Sequence, residues 1–253
     1  AHDIYRTLAH KFGLPFVLFF RGRRRAGTAV DESARGLAGC LRTLGRLRRY
    51  PQALKFLIAR LLYNDGLVTI FAFGGIYAAG TFGMSFQQII VFGIALNVAA
   101  GAGAFAFGWL DDRLGARATV QTSIAALGAA VLLAVLTRSI VLFWVAAILI
   151  GVFAGPNQSA SRSLLARFTP REKEAEFFGF YAFSGKFTAF LGPLLLGLVT
   201  QATGSQRWGM STLLLFFLAG GLILARVDQD AGVQDAAGSI VEKNNISPGG
   251  GFA

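Results

Sequence analysis

Apolar positions run almost unbroken through six stretches of this chain, residues 57–79, 86–110, 118–136, 141–160, 177–200 and 208–225, while polar and charged residues gather between them. A helix needs ~20 predominantly apolar residues to cross a hydrocarbon core, and each stretch is close to that length. The pattern predicts an all-α polytopic membrane protein, with a bundle of six transmembrane helices over residues 56–226 set in a lipid bilayer. An even number of crossings brings both chain ends to one side.

The polar segment between the second and third stretches helps to decide which side that is. Residues 108–117 read Gly-Trp-Leu-Asp-Asp-Arg-Leu-Gly-Ala-Arg. The segment reads as a hairpin, too polar for lipid and short enough to force its two helices into antiparallel contact. Together with residues 21–55 and 162–173 it collects the basic side chains at one end of the bundle, whereas the opposite loops offer only Arg138 and Arg207. By the positive-inside rule, the basic end and both termini are expected in the cytoplasm.

Composition sharpens the class. The 253 residues are 54% hydrophobic and 15% charged, with a mean hydropathy of +0.56, which excludes an ordinary soluble domain. The formal charge of +11 would suit a nucleic-acid partner, but ten basic residues lie between Arg21 and Lys55, directly before the first span. That placement points to a membrane surface and argues against nucleic acid.

Residues 21–55 are expected to form a basic cytoplasmic linker. In it Leu37, Leu41, Leu44 and Leu47 recur at helical spacing, which fits either a helix at the headgroup boundary or a solvated linker with chance leucines. Residues 1–20 end in an apolar run too short to span and read as the remnant of a preceding helix, so the chain reads as a fragment. Residues 227–253 turn to Gly, Asp, Gln, Asn and Ser without periodicity and are expected to be a disordered cytoplasmic tail. Cys40 stands alone, and His2 and His10 both precede the spans. No metal site, cofactor or intramolecular disulfide is expected.

Small residues mark the expected helix contacts. Gly101 and Gly103 in the second span, and Gly151 and Gly155 in the fourth, allow close backbone approach. Pro156 and Pro193 each follow a glycine and remove an intrahelical hydrogen bond, so bends are expected there.

Two charges fall well inside spans, Asp65 and Lys186, where translocon scales assign roughly 2.5 to 3.5 kcal/mol of cost at a helix centre. At ~1.5 Å per residue both lie about 12 to 14 Å from the basic end, so an ion pair is geometrically allowed if their helices are neighbours. Asn64 and Thr69 flank Asp65, Ser184 adjoins Lys186, and the fourth span adds Asn157, Gln158 and Ser161 near its basic end. These groups outline a pathway for a charged small-molecule substrate or a coupling proton. A zwitterion would suit it, with its ammonium at Asp65 and its carboxylate at Lys186. The competing reading is a buried Asp-Lys bridge that only fixes helix register. Nothing resembles a nucleotide-binding loop, and Ser161 and Ser184 have no visible base, so neither ATP coupling nor an enzyme is expected.

Gly108, Asp112, Arg113, Gly115 and Arg117 resemble the Gly-x-x-x-Asp-Arg-x-Gly-x-Arg loop signature of the major facilitator superfamily. Tyr63-Asn64-Asp65-Gly66, Gly155-Pro156-Asn157-Gln158-Ser159, and Gly179 through Lys186 with Leu191-Gly192-Pro193 are similar to the carboxy-terminal half of its vacuole-effluxer-like branch. That branch includes autophagy-related protein 22 and the unknown major facilitator family 1. The resemblance implies half of a twelve-helix secondary active transporter with alternating access, and efflux of amino acids or similar zwitterionic solutes. It further implies a bacterial inner (plasma) membrane location, and a partner in the form of the missing amino-terminal half or a second half-transporter. The alternative is a non-transporting membrane scaffold or sensor built from a half-transporter.

Overall fold

Pro51 opens the first helix, α1 (Pro51–Phe82). Its fixed φ suits the first helical position, and its missing N–H would have had no intrahelical partner there. The computed structural model describes residues 50–187 and 189–246. The expected remnant at 1–20 and most of the basic segment 21–55, with Cys40 and the leucine row, lie outside the described residues. Residues 51–55 are helix rather than linker, so α1 begins six residues before the expected span.

α1 ends at Gly83, whose φ of 66° is the left-handed conformation that an L side chain resists. α2 (Phe86–Leu114) follows at once. Ser85 and Gln88 start it reciprocally: the Ser85 N–H donates to Gln88 Oε1 at 2.8 Å and the Gln88 N–H to Ser85 Oγ at 3.4 Å.

The hairpin expected over residues 108–117 is mostly helix. α2 continues to Leu114, and the reversal is made by Gly115 alone, at φ 82°, before α3 (Ala116–Leu136) begins. A helix satisfies its own backbone groups, so it can carry Asp111 to Arg113 past the apolar zone without becoming a loop. Only the residue that must adopt positive φ has to be glycine.

α4 (Ile140–Phe168) runs uninterrupted through Pro156, where a bend is expected. The proline leaves the Val152 carbonyl, four residues back, without its helical donor. That carbonyl lies against Gly103 of α2, where a Cβ would collide with it. Gly151 and Gly155 meet the α2 backbone at Leu96 and Ala100 in the same way. The small residues thus bring α2 and α4 into backbone contact as expected, with one exception: Gly101 faces open space.

The fifth span differs from the single helix expected over residues 177–200. After a short 3-10 turn, Arg171–Lys173, it forms α5 (Glu174–Phe187), breaks, and resumes as α6 (Leu191–Thr203). Pro193 accounts for the location. Its ring excludes the carbonyl of the residue four positions earlier, which is Ala189, inside the break. Neither piece alone reaches the ~20 residues of a full crossing.

α7 (Gln206–Ala225) returns to the basic end and completes six stretches long and apolar enough to cross a membrane. It is fastened to α3 at both ends. Arg117 at the start of α3 donates to the Ala225 carbonyl at 2.8 Å, and Arg207 at the start of α7 donates to the Val135 and Thr137 carbonyls at 2.6 and 2.5 Å. Each arginine supplies donors to carbonyls that a helix end leaves unpaired, and its charge favours the negative pole of that helix.

Residues 227–253 are expected to be disordered, but Gln229–Ile246 form a further helix, α8. Asp228 caps it, its Oδ1 accepting from the Asp230 and Ala231 N–H groups at 3.0 and 3.1 Å. The Gln229 side chain accepts from the Arg117 N–H, Gln52 accepts from the Asp228 N–H, and Gly232 sits against Phe168. These contacts, invisible to a periodicity scan, hold a polar helix across the ends of α1, α3 and α4.

Candidate functional site

Two charged side chains are buried among the described residues, and both lie on α1: Arg60, 9% exposed, and Asp65, 1% exposed. Five residues apart, they face different neighbours, because five helical steps turn the helix by ~140°.

Asp65 meets α6. Its Oδ2 accepts the Gly192 N–H at 2.7 Å, while its Oδ1 has no hydrogen-bond partner. Gly192 is the second residue of α6, so the carboxylate takes up one of the donors exposed where the broken span resumes, at the positive pole of the half-helix. Thr69 completes the contact. Its Oγ1 donates to the Asp65 carbonyl at 2.7 Å and occupies the space that a side chain at residue 192 would need.

The ion pair that equal depth allows between Lys186 and Asp65 does not form. Lys186 is exposed on the last turn of α5, and Asp65 takes a backbone N–H instead. Equal depth along two helices fixes height but not bearing, and here the bearings differ.

Arg60 meets α5. Its Cζ lies 3.3 Å from the centroid of the Tyr181 ring, and its Nη1 donates to the Tyr181 carbonyl at 3.3 Å. Asn64, half-buried, stands beside it, and both approach Gly185. Ser184 is buried, donating to the same Tyr181 carbonyl at 3.1 Å.

α4 approaches α1 on a third side. The Tyr63 hydroxyl and Ser161 Oγ lie 2.8 Å apart, and Ser161 Oγ donates to the Asn157 carbonyl at 2.5 Å. Asn157 is buried with its Nδ2 unpartnered. Gln158 is exposed, one helical step round from Asn157.

Of the expected site residues, Asn64, Asp65 and Thr69 therefore sit on α1 against the broken span, with Ser184 and Lys186 at its near end. Asn157 belongs to the α1–α4 contact. Pro193 lies just beyond the break. Of the loop signature, Gly108, Asp112 and Arg113 lie on the last turns of α2, Gly115 makes the turn, and Arg117 fastens α7. Arg60 is not singled out in the sequence, and Tyr63, Tyr181 and Gly192 appear there only within the family-like motifs, with no role attached. Arg60 is the tenth residue of α1, which begins at Pro51 rather than Leu57, and it is buried there.

Comparison with known proteins shows the family. The family model described as "Vacuole effluxer Atg22 like" matches residues 11–237. The chain belongs to the vacuole effluxer Atg22-like family. Among curated relatives, it is 29% identical over 188 residues to the uncharacterized MFS-type transporter YxiO of Bacillus subtilis, covering 74% of this chain and 44% of that protein. It is 28% identical over 207 residues to autophagy-related protein 22 of Cryptococcus neoformans, covering 76% of this chain and 36% of that protein. It is 25% identical over 254 residues to autophagy-related protein 22 of Coccidioides immitis, covering 89% of this chain and 42% of that protein. This Atg22-like chain thus spans less than half the length of these relatives.

Proposed function

We propose that this integral membrane protein acts as the six-helix half of a secondary active transporter that works by alternating access and exports amino acids or similar small zwitterionic solutes. The observation that carries the reading is the interrupted fifth span, whose resuming end is held by the buried carboxylate of Asp65. Discontinuous helices with polar groups at their broken ends are where secondary transporters bind solutes and coupling ions. Kinship with an MFS-type transporter supports the same reading.

In this reading the end bearing Pro51, Gly115 and Arg226 faces the cytoplasm, since Lys and Arg collect there. A bacterial inner membrane suits a relative in Bacillus subtilis. Asp65 is the group on which a coupling proton would ride, having one oxygen engaged and one without a partner. Asn64, Thr69, Asn157, Gln158, Ser184 and Lys186 line or support the route. A second six-helix bundle, either a separate half or another copy, would supply its other wall.

The test is counterflow of radiolabelled amino acids in proteoliposomes holding the protein. Accumulation that depends on the protein, and that Asp65→Asn and Lys186→Gln abolish with insertion unchanged, is the expected result. Correctly inserted protein that moves no solute would leave a membrane scaffold as the better description.

A further inference from the structure

Among the described residues, the buried cation of Arg60 is paired with no carboxylate. The only carboxylate on α1, Asp65, is turned away and engaged by Gly192. Among the described residues Arg60 has one hydrogen bond, to a carbonyl, and one stacking contact, to the Tyr181 ring. A guanidinium carries five N–H donors in a planar fork, so most of its hydrogen-bonding capacity is unspent. Burying such a group without a counter-ion is unfavourable, and an oxyanion is the partner that its geometry fits best.

At Gly185 the fork faces bare backbone. A Cβ at Gly185 would stand 3.1 Å from Arg60 Nη1, 3.7 Å from Nη2 and 3.4 Å from Asn64 Nδ2. Three donor nitrogens therefore converge on one glycine, at distances that leave no room for a side chain there. The next residue along α5, Lys186, is exposed. Besides the Tyr181 carbonyl, which already accepts from Arg60 and Ser184, the groups nearest Gly185 are these donors.

We infer that Arg60, with Asn64 beside it and Lys186 next along α5, forms an oxyanion site over the bare backbone of Gly185, and that it takes the carboxylate of the solute. The inference deepens the transport reading and rests on it for the fate of the bound molecule. It also revises the assignment of charges: the carboxylate is the anchor, Arg60 is its main partner, and Asp65 serves the broken helix rather than an ammonium group.

The experiment is ligand-induced thermal stabilisation of the purified protein in phosphatidylcholine nanodiscs. The probes are the twenty amino acids, their carboxamides, and inorganic phosphate at equal concentration. At least one amino acid raises the melting temperature, while its amide, which keeps the amine and lacks the carboxylate, does not. Arg60→Lys, which keeps the charge and loses the fork, raises the half-saturating concentration by about tenfold, and Arg60→Gln removes the response.

Gly185→Ala, which changes no charge, also weakens binding by crowding the fork, and with Arg60→Lys it decides the matter if Arg60→Gln does not fold. The site is overturned if no amino acid stabilises the protein, if the amide or phosphate stabilises it equally, or if the folded variants respond like the parent. Measuring flux of the same solute separates the two proposals. Binding without flux sinks the transport reading and leaves the site, whereas flux that Arg60→Lys and Gly185→Ala leave unchanged sinks the site and leaves transport.

Discussion

The pair α3 and α7 and the group formed by α1 with α5 and α6 are both helix contacts in one bundle, yet they are held by opposite means. α3 and α7 are unbroken, meet through largely apolar faces with Gln121 against Gly221, and are joined by Arg117 and Arg207 at their two ends. α1 meets a broken span and reaches it through two buried charges. In the first case polar groups secure the margins of a rigid plate. In the second they work in the interior, where an unpaired charge is costly and its partner cannot be replaced by water. A protein that needed only stability would build every contact like the first.

The largest effect expected from breaking this contrast is at Asp65. Asp65→Ala removes the acceptor of the Gly192 N–H and leaves the start of α6 unsatisfied, which costs ~1 to 3 kcal/mol in thermal unfolding and abolishes proteoliposome flux. Asp65→Asn keeps an acceptor oxygen, so it restores most of the stability but not the flux. Equal flux in both variants and the parent would remove the charge from the mechanism.

Next in size are glycines at backbone contacts. Gly103→Ala sets a Cβ against the Val152 carbonyl and Gly192→Ala sets one against Thr69, each costing ~1 to 3 kcal/mol by overpacking. Gly101→Ala, two residues from the first of these, enters open space and stays within ~0.5 kcal/mol of the parent. Melting temperatures of the three variants in one detergent give the ordering directly.

The plate should respond differently. Arg207→Ala frees the Val135 and Thr137 carbonyls and lowers stability by ~1.5 to 3 kcal/mol, while solute binding by the folded fraction stays at the parent value. A loss of binding at constant stability would show that the plate and the broken span are coupled. The smallest effect is at Asp228, where alanine removes a cap worth ~1 kcal/mol and speeds amide exchange in the first turn of α8 alone.

How much of this could be read from the sequence follows from the range of each interaction. The six crossings are written in runs of about twenty residues, and a membrane imposes them without help from tertiary contacts. The backbone contacts of Gly103, Gly151 and Gly155 were equally legible, since small residues in a span have few other uses. Gly101 shows the limit, because only the bearing of α2 separates it from Gly103. Pro193 announced a disruption but not its place, which lies at the carbonyl four residues earlier. The pairing that equal height allowed between Asp65 and Lys186 depended also on rotation about the helix axes, set by all six helices together, which decided otherwise. Arg60 was hidden by a span begun at Leu57, and α8 by a polar composition that outweighed the single capping signal of Asp228.

The two charges on α1 have a mechanical consequence. Arg60 holds the segment before the break and Asp65 the segment after it, and their attachments leave the helix about 140° apart. A roll of α1 about its own axis cannot preserve both grips, since turning toward one segment carries the other attachment away. α1 is in this respect a camshaft with two lobes: a roll in either sense would keep one piece of the fifth span and release the other.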